Sequence, residues 1–397
     1  MRLADRMRRI QPSATLTIST KAKAMKAQGI DVVGFGAGEP DFDTPRHIKD
    51  AAIQATLDGF TKYTPVGGSE ELKDAIRARV REDLGLEYRR SQVIVSCGAK
   101  HVVYNAVMAL FQEGDEVLIP SPYWVSYPEI LAMAGATPVI LPTREEDGFK
   151  LRPEVLRRSI TPRTKGLILN SPSNPTGAVY TQAEMEDLAR IVLDAGFVVI
   201  SDEIYDKLLY GGIKAGHMAA VSQEMMDRTL LVNGVSKTYA MTGWRIGFAL
   251  GPEDLILAMD TVQGQSTSNP TSIAQKAAVA ALRGPQDCVT EMVREFDRRR
   301  RFMVERLNRM KGVSCLEPLG AFYAFPNVSA HLGKKIGERE ILTPSDLAAY
   351  LLEEARVAVV AGEPFGSDQH IRLSFALSIE EIEKGLDRIE EALEKLA

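Results

Sequence analysis

Seven short apolar runs between residues 92 and 252 constrain the fold of this chain more than any other feature. They are rich in β-branched residues and show no alternation of apolar and polar positions. Such runs are typical of strands buried on both faces, as in a parallel sheet covered by helices. The runs are VIVS (93–96), EVLIP (116–120), PVILP (138–142), GLILN (166–170), FVVIS (197–201), LLVN (230–233) and IGFAL (246–250). We therefore predict an α/β fold with a mostly parallel sheet of about seven strands.

Helix-period segments separate several of these runs. The segments HVVYNAVMALFQEG (101–114) and TQAEMEDLARIVLDAG (181–196) each end in glycine, as helices often do. These segments predict helices flanking the sheet. In an open α/β sheet, ligand sites form at the carboxyl ends of the strands, so this edge is where functional residues are expected.

The pattern changes after Gly284 and Pro285. A charged helix is predicted over 288–310 and a closing helix over 380–396, with short strands near 321–325 and 370–376. This mixture indicates a smaller α+β domain.

The length of the chain also favours two domains, because 397 residues exceed the size at which one core stops growing. The Gly- and Pro-rich N-terminal segment does not fit the sheet pattern, so we assign it to the smaller unit. The predicted division is a large domain over 45–285 and a small domain formed by 1–44 and 286–397.

The charge balance gives no electrostatic case for nucleic acid or an anionic membrane as partner, since the formal net charge is -5. The densest basic run, Arg298–Arg301, stands among acidic residues and is interpreted as a solvated helix face. No apolar stretch approaches membrane-spanning length.

The cysteines and histidines also lack functional patterns. Cys97, Cys288 and Cys315 form no CxxC pair, which favours a reducing compartment, and the five histidines show no zinc-site spacing. The basic N-terminus lacks the apolar segment of a signal peptide, so a cytoplasmic location is expected.

Side chains that carry chemistry follow the predicted strands. The set is Gly98, Ala99, Lys100, Trp124, Asn174, Asp202, Tyr205, Ser236, Lys237 and Arg245. Together they offer an amine, a carboxylate, a phenol, an amide, an aromatic plate and an arginine. These groups suit a cofactor that carries an aldehyde, a basic ring nitrogen, a phenolate and a phosphate. Pyridoxal phosphate has all four groups.

With these motifs the chain resembles the class I aspartate aminotransferases, which are fold-type I pyridoxal-phosphate enzymes. The resemblance covers nearly the whole chain, and each motif is weak alone, whereas their order and spacing are specific. Within the family the chain is most similar to the bacterial aspartate and prephenate aminotransferases. The motifs are PSAT, GAGEPDFDTP, KYTPVGG, SPYWVSYPE, NSPSNPTGAVY, SDEIYD, SKTYAMTGWRIGFALGP, GAFY and IRLSFA.

The resemblance implies a role for each residue that would hold the cofactor ring. Lys237 would form the Schiff base and carry the proton between substrate and cofactor. Asp202 would pair with the ring nitrogen and keep it cationic. Tyr205 and Asn174 would bind the phenolate oxygen, and Trp124 would stack on the ring. Taken singly, Asp202 also suits a helix N-cap, Asn174 a turn and Trp124 core packing.

Phosphate binding would be shared by Arg245, Ser236 and the amides of Gly98, Ala99 and Lys100 at a helix N-terminus. Members of the family often carry a serine three residues before the lysine, where this chain has Gly234. Tyr63 matches a tyrosine that reaches the phosphate of the neighbouring subunit, which implies a homodimer. Packing of Tyr63 at the surface is the alternative.

The resemblance also assigns the substrate residues. Arg372 would bind the α-carboxylate bidentately, with Gly38, Asn174 and Trp124 close by. Lys100 and Thr15 match residues that bind a distal carboxylate. We therefore expect aspartate and glutamate as amino donors, with 2-oxoglutarate and oxaloacetate as acceptors in a ping-pong reaction. Prephenate has a second carboxylate too and stays open.

Two other functions are compatible with a pyridoxal-phosphate site. A pyridoxal-phosphate lyase would keep the same site but release its product from the donor alone. A ligand-sensing regulator would need a DNA-binding domain before GAGEPDF, which begins at residue 36 and leaves no room for one. The sequence therefore favours amino transfer.

Overall fold

The computed structural model describes residues 3–397, and the sequence pattern accounts for most of its strands and helices. The strands are β1 (Val33–Gly34), β2 (Val93–Ser96), β3 (Glu116–Ser121), β4 (Thr137–Pro142), β5 (Thr164–Asn170), β6 (Val198–Asp202), β7 (Thr229–Gly234), β8 (Gly247–Leu250), β9 (Tyr323–Ala324), β10 (Lys334–Ile336), β11 (Arg339–Ile341), β12 (Val357–Ala358), β13 (Val360–Ala361) and β14 (Ile371–Ser374). The helices are α1 (Ala14–Ala27), α2 (Arg46–Leu57), α3 (Glu70–Leu84), α4 (Ala99–Leu110), α5 (Ser126–Ala134), α6 (Pro153–Ser159), α7 (Gln182–Ala195), α8 (Gln223–Met226), α9 (Glu253–Ser266), α10 (Ser272–Arg283), α11 (Asp287–Arg309), α12 (Pro344–Glu354) and α13 (Ile379–Glu394). In this part of the chain no helix combines the length and apolar character that crossing a membrane requires.

The seven predicted strands form one sheet in the order β2-β8-β7-β6-β5-β3-β4. Strand β8 runs antiparallel to both of its neighbours, β2 and β7, and the other neighbouring strands are parallel. The prediction of a seven-stranded, mostly parallel sheet is therefore confirmed. Because β8 is reversed, its first residues lie at the same edge as the last residues of β6 and β7.

Both faces of the sheet are buried except at the edge strand β4, which is largely exposed or half-buried, and this burial explains the lack of alternation in the inner strands. Ile168 and Ile200 belong to an apolar cluster with residues of α4, α5 and α9. Leu167 and Val199 belong to a different cluster with residues of α7. Successive side chains of a strand point to opposite faces, so neither face can be polar.

The C-terminal part contains the predicted charged helix as α11 and the predicted closing helix as α13. Its strands β13, β14 and β9 form a small antiparallel sheet. Strand β1 pairs in parallel with β12, which ties the N-terminal segment to this part of the chain. This pairing supports the assignment of the N-terminal segment to the small unit. The domain bounds themselves stay a prediction, and Met1 and Arg2 of the range 1–44 lie outside the described residues.

The arginine run in α11 is not a uniformly solvated face, so that interpretation was wrong for half of it. Arg298 and Arg301 are exposed, but Arg299 and Arg300 are only 7% and 2% exposed. Arg299 pairs with Asp41 and Glu295 at 2.8 Å each. The helical period places the two inner arginines on the apolar stripe that contains Phe296 and Met303.

Candidate active site

A cavity of ≈ 530 Å³ opens at the edge of the sheet where β6 and β7 end and β8 begins. Most of the predicted site residues line it, although they come from distant parts of the chain. Those lining residues are Thr15, Gly38, Ala99, Lys100, Trp124, Asn174, Asp202, Tyr205, Ser236, Lys237, Arg245 and Arg372. Gly98 does not line the cavity itself but immediately precedes the lining residue Ala99. Tyr63 is 90% exposed and does not line the cavity.

Asp202 is the last residue of β6 and is almost fully buried, at 4% exposure. Its Oδ2 accepts a hydrogen bond from the Tyr127 hydroxyl at 2.7 Å, and its Oδ1 accepts one from the Ile204 amide at 3.2 Å. Burial raises the pKa of Asp202 to about 6, against the lowering effect of these two donors. A buried carboxylate of this kind is well suited to a cationic partner.

Lys237 lies in the loop after β7 and is half-buried. Its Nζ donates a hydrogen bond to the backbone carbonyl of Gly38. Burial is the largest of the effects that together lower the pKa of Lys237 to about 8; the neighbouring Arg245 and Arg372 also lower it, whereas Glu39 and Asp202 raise it. About a tenth of the amine is therefore unprotonated at pH 7, far more than for an ordinary lysine, and a nucleophilic lysine requires this form.

Arg245 stands just before β8 with its backbone in the left-handed region, at φ 56. Its guanidinium donates to the carbonyls of Thr242 at 2.7 Å and Cys97 at 3.2 Å. It also lies against Gly98, where an added Cβ would come within 2.2 Å of Nη2 and where φ is +92. Glycine is therefore required at position 98 for the arginine to occupy this place.

The N-terminus of α4 faces the same region. The amides of Ala99 and Lys100 have no hydrogen-bond partner among the described residues, whereas the Gly98 amide donates to the Ser96 carbonyl at 2.7 Å. Free amides at a helix N-terminus attract an anion through their hydrogens and the helix dipole. Together with Arg245 they form an anion site whose free donors are the amides of Ala99 and Lys100.

Arg372, on β14, is a buried cation at 1% exposure. It donates to Asn174 Oδ1 and to the Gly36 carbonyl, both at 3.0 Å. Within residues 3–397 it has no carboxylate partner, and its Nε has no hydrogen-bond partner. A buried guanidinium without a counter-ion is costly, so this geometry favours an anionic ligand at Arg372.

Tyr205 is buried beside Asp202 and forms a hydrogen bond with Tyr323, the two hydroxyl oxygens being 3.0 Å apart. The ring of Tyr323 lies under the Arg372 guanidinium, 4.4 Å from its centroid. Burial raises the pKa of Tyr205 well above its ordinary value, so the phenol stays protonated and able to donate.

Lys100 and Trp124 lie together in the lining of the cavity. The Lys100 Nζ lies 5.0 Å from the centroid of the Trp124 ring, and partial burial lowers the pKa of this lysine. Trp124 packs edge-on against Tyr127. Thr15, near the start of α1, also lines the cavity and contacts the Ser13 hydroxyl at 3.0 Å.

Sequence reasoning missed three residues of this site. Tyr127 and Tyr323 occur in the quoted motifs SPYWVSYPE and GAFY, but no role was assigned to them. Glu39 accepts a hydrogen bond from the Thr242 hydroxyl at 2.8 Å and lines the cavity. The spacing of Tyr127 three residues after Trp124, at the turn that leads into α5, was the one available signal that the two side chains lie together.

Comparisons with known proteins identify the family. The family model described as aminotransferase class I and II matches residues 30–389. The chain belongs to this family. An aspartate aminotransferase of Geobacillus stearothermophilus is 49% identical over the full length of both chains. A probable aspartate/prephenate aminotransferase of Rhizobium leguminosarum is 49% identical over 98% of both. The crystal structure of an aspartate aminotransferase from Rhizobium meliloti superposes with a TM-score of 0.96 at 45% identity over 100% of both chains.

The class I and II aminotransferases depend on pyridoxal phosphate, and the cavity of this aminotransferase fits that group. The free amides of α4 and Arg245 match its phosphate. The buried carboxylate of Asp202 matches its ring nitrogen, and the weakly basic amine of Lys237 matches its aldehyde. Gly234 stands where the family resemblance implies a serine, and a Cβ there would lie 3.0 Å from the Ile246 carbonyl oxygen. The backbone packing at this position thus disfavours any side chain.

Proposed function

We propose that this protein is an aminotransferase that uses pyridoxal phosphate to move the amino group of L-aspartate or L-glutamate to 2-oxoglutarate or oxaloacetate. The observation that carries the proposal is the buried Arg372, whose guanidinium has no carboxylate partner in residues 3–397 and shares a cavity with the Lys237 amine. One cation would hold an α-carboxylate while the amine works on the α-carbon beside it. When bound, pyridoxal phosphate supplies an electron sink for that carbon.

The residues that would hold the cofactor follow from the chemistry of each side chain. Asp202 would bind the ring nitrogen, and Tyr205 and Asn174 would bind the phenolate oxygen. Trp124 would cover the ring. Arg245, Ser236 and the amides of Ala99 and Lys100 would bind the phosphate, with Gly98 keeping the approach open.

The chain's own residues divide the reaction between them. Arg372 binds the α-carboxylate and orients the α-carbon, and the Asn174 amide oxygen holds the guanidinium in place. Lys237 accepts the α-proton and returns it, because its pKa of about 8 lets the amine both take and release a proton near neutral pH. Gly38, which has no side chain, leaves room near the carboxylate.

Preference for a second carboxylate would come from Lys100 and Thr15, which both line the cavity. A cation there offsets the cost of burying the distal carboxylate of aspartate or glutamate. Prephenate is a second candidate, because it carries a second carboxylate and because some relatives are named aspartate/prephenate aminotransferases.

The assembly is also part of the proposal. Tyr63 is 90% exposed at the surface, which is the placement expected of a side chain that reaches the phosphate site of a second copy. A homodimer with shared active sites is therefore proposed. The cytoplasmic location and the division at 45 and 285 are retained as sequence predictions.

The deciding experiment is the visible absorbance spectrum of the purified, cofactor-loaded protein before and after adding single L-amino acids. Aspartate and glutamate should each remove the visible band, and 2-oxoglutarate should restore it. Lys237→Ala serves as the control, because it should show neither change. A band that is unaffected by both amino acids would contradict the proposal, and release of pyruvate or ammonia from the donor alone would indicate a lyase.

A second experiment tests the acidic preference. Lys100→Ala should raise KM for aspartate and for 2-oxoglutarate by about tenfold, the effect of losing one interaction of roughly 1.4 kcal/mol. Lys276→Ala is a matched control, because Lys276 also lies over an aromatic ring, that of Phe60, but outside the cavity. Unchanged KM values in Lys100→Ala would remove the argument for dicarboxylates.

A further inference from the structure

Tyr323 connects two groups of the site that would act on different molecules. Its hydroxyl lies 3.0 Å from that of Tyr205, which would bind the cofactor. Its ring lies under the guanidinium of Arg372, which would bind the substrate. Tyr323 is fully buried apart from its contact with the cavity. A substitution at Tyr323 can therefore affect both Tyr205 and Arg372.

The direction of the hydrogen bond between the two phenols follows from counting protons. Each phenol has a single O–H to donate. Among the described residues, Tyr323 is the hydrogen-bond partner of the Tyr205 hydroxyl. If Tyr205 donates its proton to the cofactor's ring oxygen, only the Tyr323 hydroxyl can donate to Tyr205. Burial raises the pKa of both phenols, so both protons are present at neutral pH.

We propose that Tyr323 is a positioning residue, whose hydroxyl donates to Tyr205 and directs the Tyr205 proton at the cofactor, while its ring supports Arg372. The inference rests on the proposed function. A hydroxyl that accepts a hydrogen bond becomes a stronger donor itself. Tyr323 thus strengthens the donation from Tyr205 and lowers the basicity of the nitrogen that joins Lys237 to the cofactor.

The charged groups around the two phenols come from four parts of the chain. Arg372 on β14 and Asp202 at the end of β6 act on Tyr205. Arg372 and Glu39 of the N-terminal segment act on Tyr323. Lys237 lies 6.0 Å from the centroid of the Tyr205 ring. A Tyr323→Phe substitution leaves all four charges in place, so it isolates the hydroxyl.

The test is a pH titration of the visible absorbance of the cofactor-loaded protein. In Tyr323→Phe the midpoint should rise by about half a pH unit or more, as expected for weakening one hydrogen bond. Tyr210→Phe is the matched control, because the Tyr210 hydroxyl is also buried but donates to the Ala321 carbonyl outside the cavity. A midpoint equal to that of the wild type in Tyr323→Phe would overturn the inference. A wild-type protein without a pH-dependent band would instead count against the proposed function.

Two further variants separate positioning from packing. In a Tyr205→Phe background, adding Tyr323→Phe should shift the midpoint no further, since the path through Tyr205 is already lost. Additive shifts would overturn the inference. Tyr323→Phe keeps the ring under Arg372, so it should lower kcat and leave KM for aspartate within about twofold, whereas Tyr323→Leu should also raise KM.

Discussion

Two buried arginines in this protein have almost the same exposure and opposite surroundings. Arg300 in α11 is 2% exposed and Arg372 on β14 is 1% exposed. Arg300 donates to Asp297 at 2.6 Å, to Glu317 and to the Pro318 carbonyl, and lies over the ring of Tyr210. Arg372 lies over Tyr323, but its acceptors among residues 3–397 are an amide oxygen and a backbone carbonyl, with no carboxylate.

The difference shows how burial alone fails to identify function. The desolvation cost of Arg300 is offset within the fold by two carboxylates, so the Arg300 charge needs no ligand to balance it. The cost of Arg372 is offset only in part, which makes its surroundings favourable for a carboxylate from outside. The missing partner is therefore more informative than the buried charge.

The largest effect expected from this contrast is on catalysis. Arg372→Met should lower kcat/KM for aspartate by about a hundredfold or more, because a buried charge-assisted pair with the substrate contributes about 3 kcal/mol. The free energy of unfolding should change by less than about 1 kcal/mol, because the lost charge has no carboxylate partner in the described part of the chain. Steady-state kinetics and urea unfolding would check this. If Arg372→Met lost much stability but kept normal kinetics, Arg372 would serve the fold, as Arg300 does, and would not bind the substrate.

The next effect is on stability. Arg300→Met should lower the free energy of unfolding by about 2 to 3 kcal/mol, since it removes the partner of Asp297 and Glu317. The cost stays below that of a fully buried pair because the Glu317 side chain is 59% exposed. Urea unfolding measures the change, with kcat/KM per folded molecule as the control. Loss of catalysis without loss of stability would place Arg300 in the site.

A third experiment extends the contrast to a cation that titrates. Burial lowers the pKa of Lys237 to about 8, whereas an unfolded lysine titrates near 10.4. Between these values the unfolded state binds more protons, so the cofactor-free protein should gain stability as pH rises from about 8 to 10.5. Below pH 8 the folded protein bears the full free-energy cost of burying a protonated Lys237. Lys237→Met should be more stable than wild type at pH 7 by about 1 kcal/mol. This figure is smaller than the pKa shift alone would give, because the amine is partly exposed to solvent.

The measurement is urea unfolding of both cofactor-free proteins at pH 7 and pH 9.5. The stability advantage of Lys237→Met should shrink at the higher pH. If Lys237→Met were more stable than wild type by the same amount at pH 7 and pH 9.5, the protonated amine would not be what destabilises the wild type. The contrast with Arg300 would then apply to Arg372 alone.

The smallest effect concerns one carboxylate of Arg300. Glu317→Gln should lower the free energy of unfolding by less than about 1 kcal/mol, because Glu317 is largely solvated and Asp297 remains. Addition of salt should reduce the difference between the two proteins. A cost above about 2 kcal/mol would mean that Arg300 depends on this one partner.

The sheet could be predicted because burial on both faces leaves a direct mark on the sequence. All seven apolar runs became strands, although bounds moved, as at 197–201, where β6 is Val198–Asp202. The strand order and the reversal of β8 could not be predicted, since apolar runs do not record which neighbours pair. The reversal explains why Arg245 precedes a strand whereas Lys237 follows one.

The site was predicted where a side chain carries distinctive chemistry and missed where a contact depends on packing. Lys237 and Arg372 stand in recognisable motifs, but the contact of Tyr127 with Asp202 joins residues 75 positions apart. The prediction that Arg299 and Arg300 lie on a solvated helix face was wrong because it rests on the charge of the segment and neglects the helical period. Their spacing from Phe296 and Met303 already placed them on the apolar stripe.

The reversal of β8 also has a mechanical consequence. Lys237 and Arg245 lie on one uninterrupted connection, residues 235–246, clamped at both ends by neighbouring strands of the same sheet. The two ends of the connection are held next to each other, because Gly234 pairs with Gly247 in the sheet. An inserted residue would have to be accommodated inside the connection, where it would displace Lys237 relative to Arg245. The placement of these two cations thus depends on the length of the backbone between them as well as on the chemistry of their side chains.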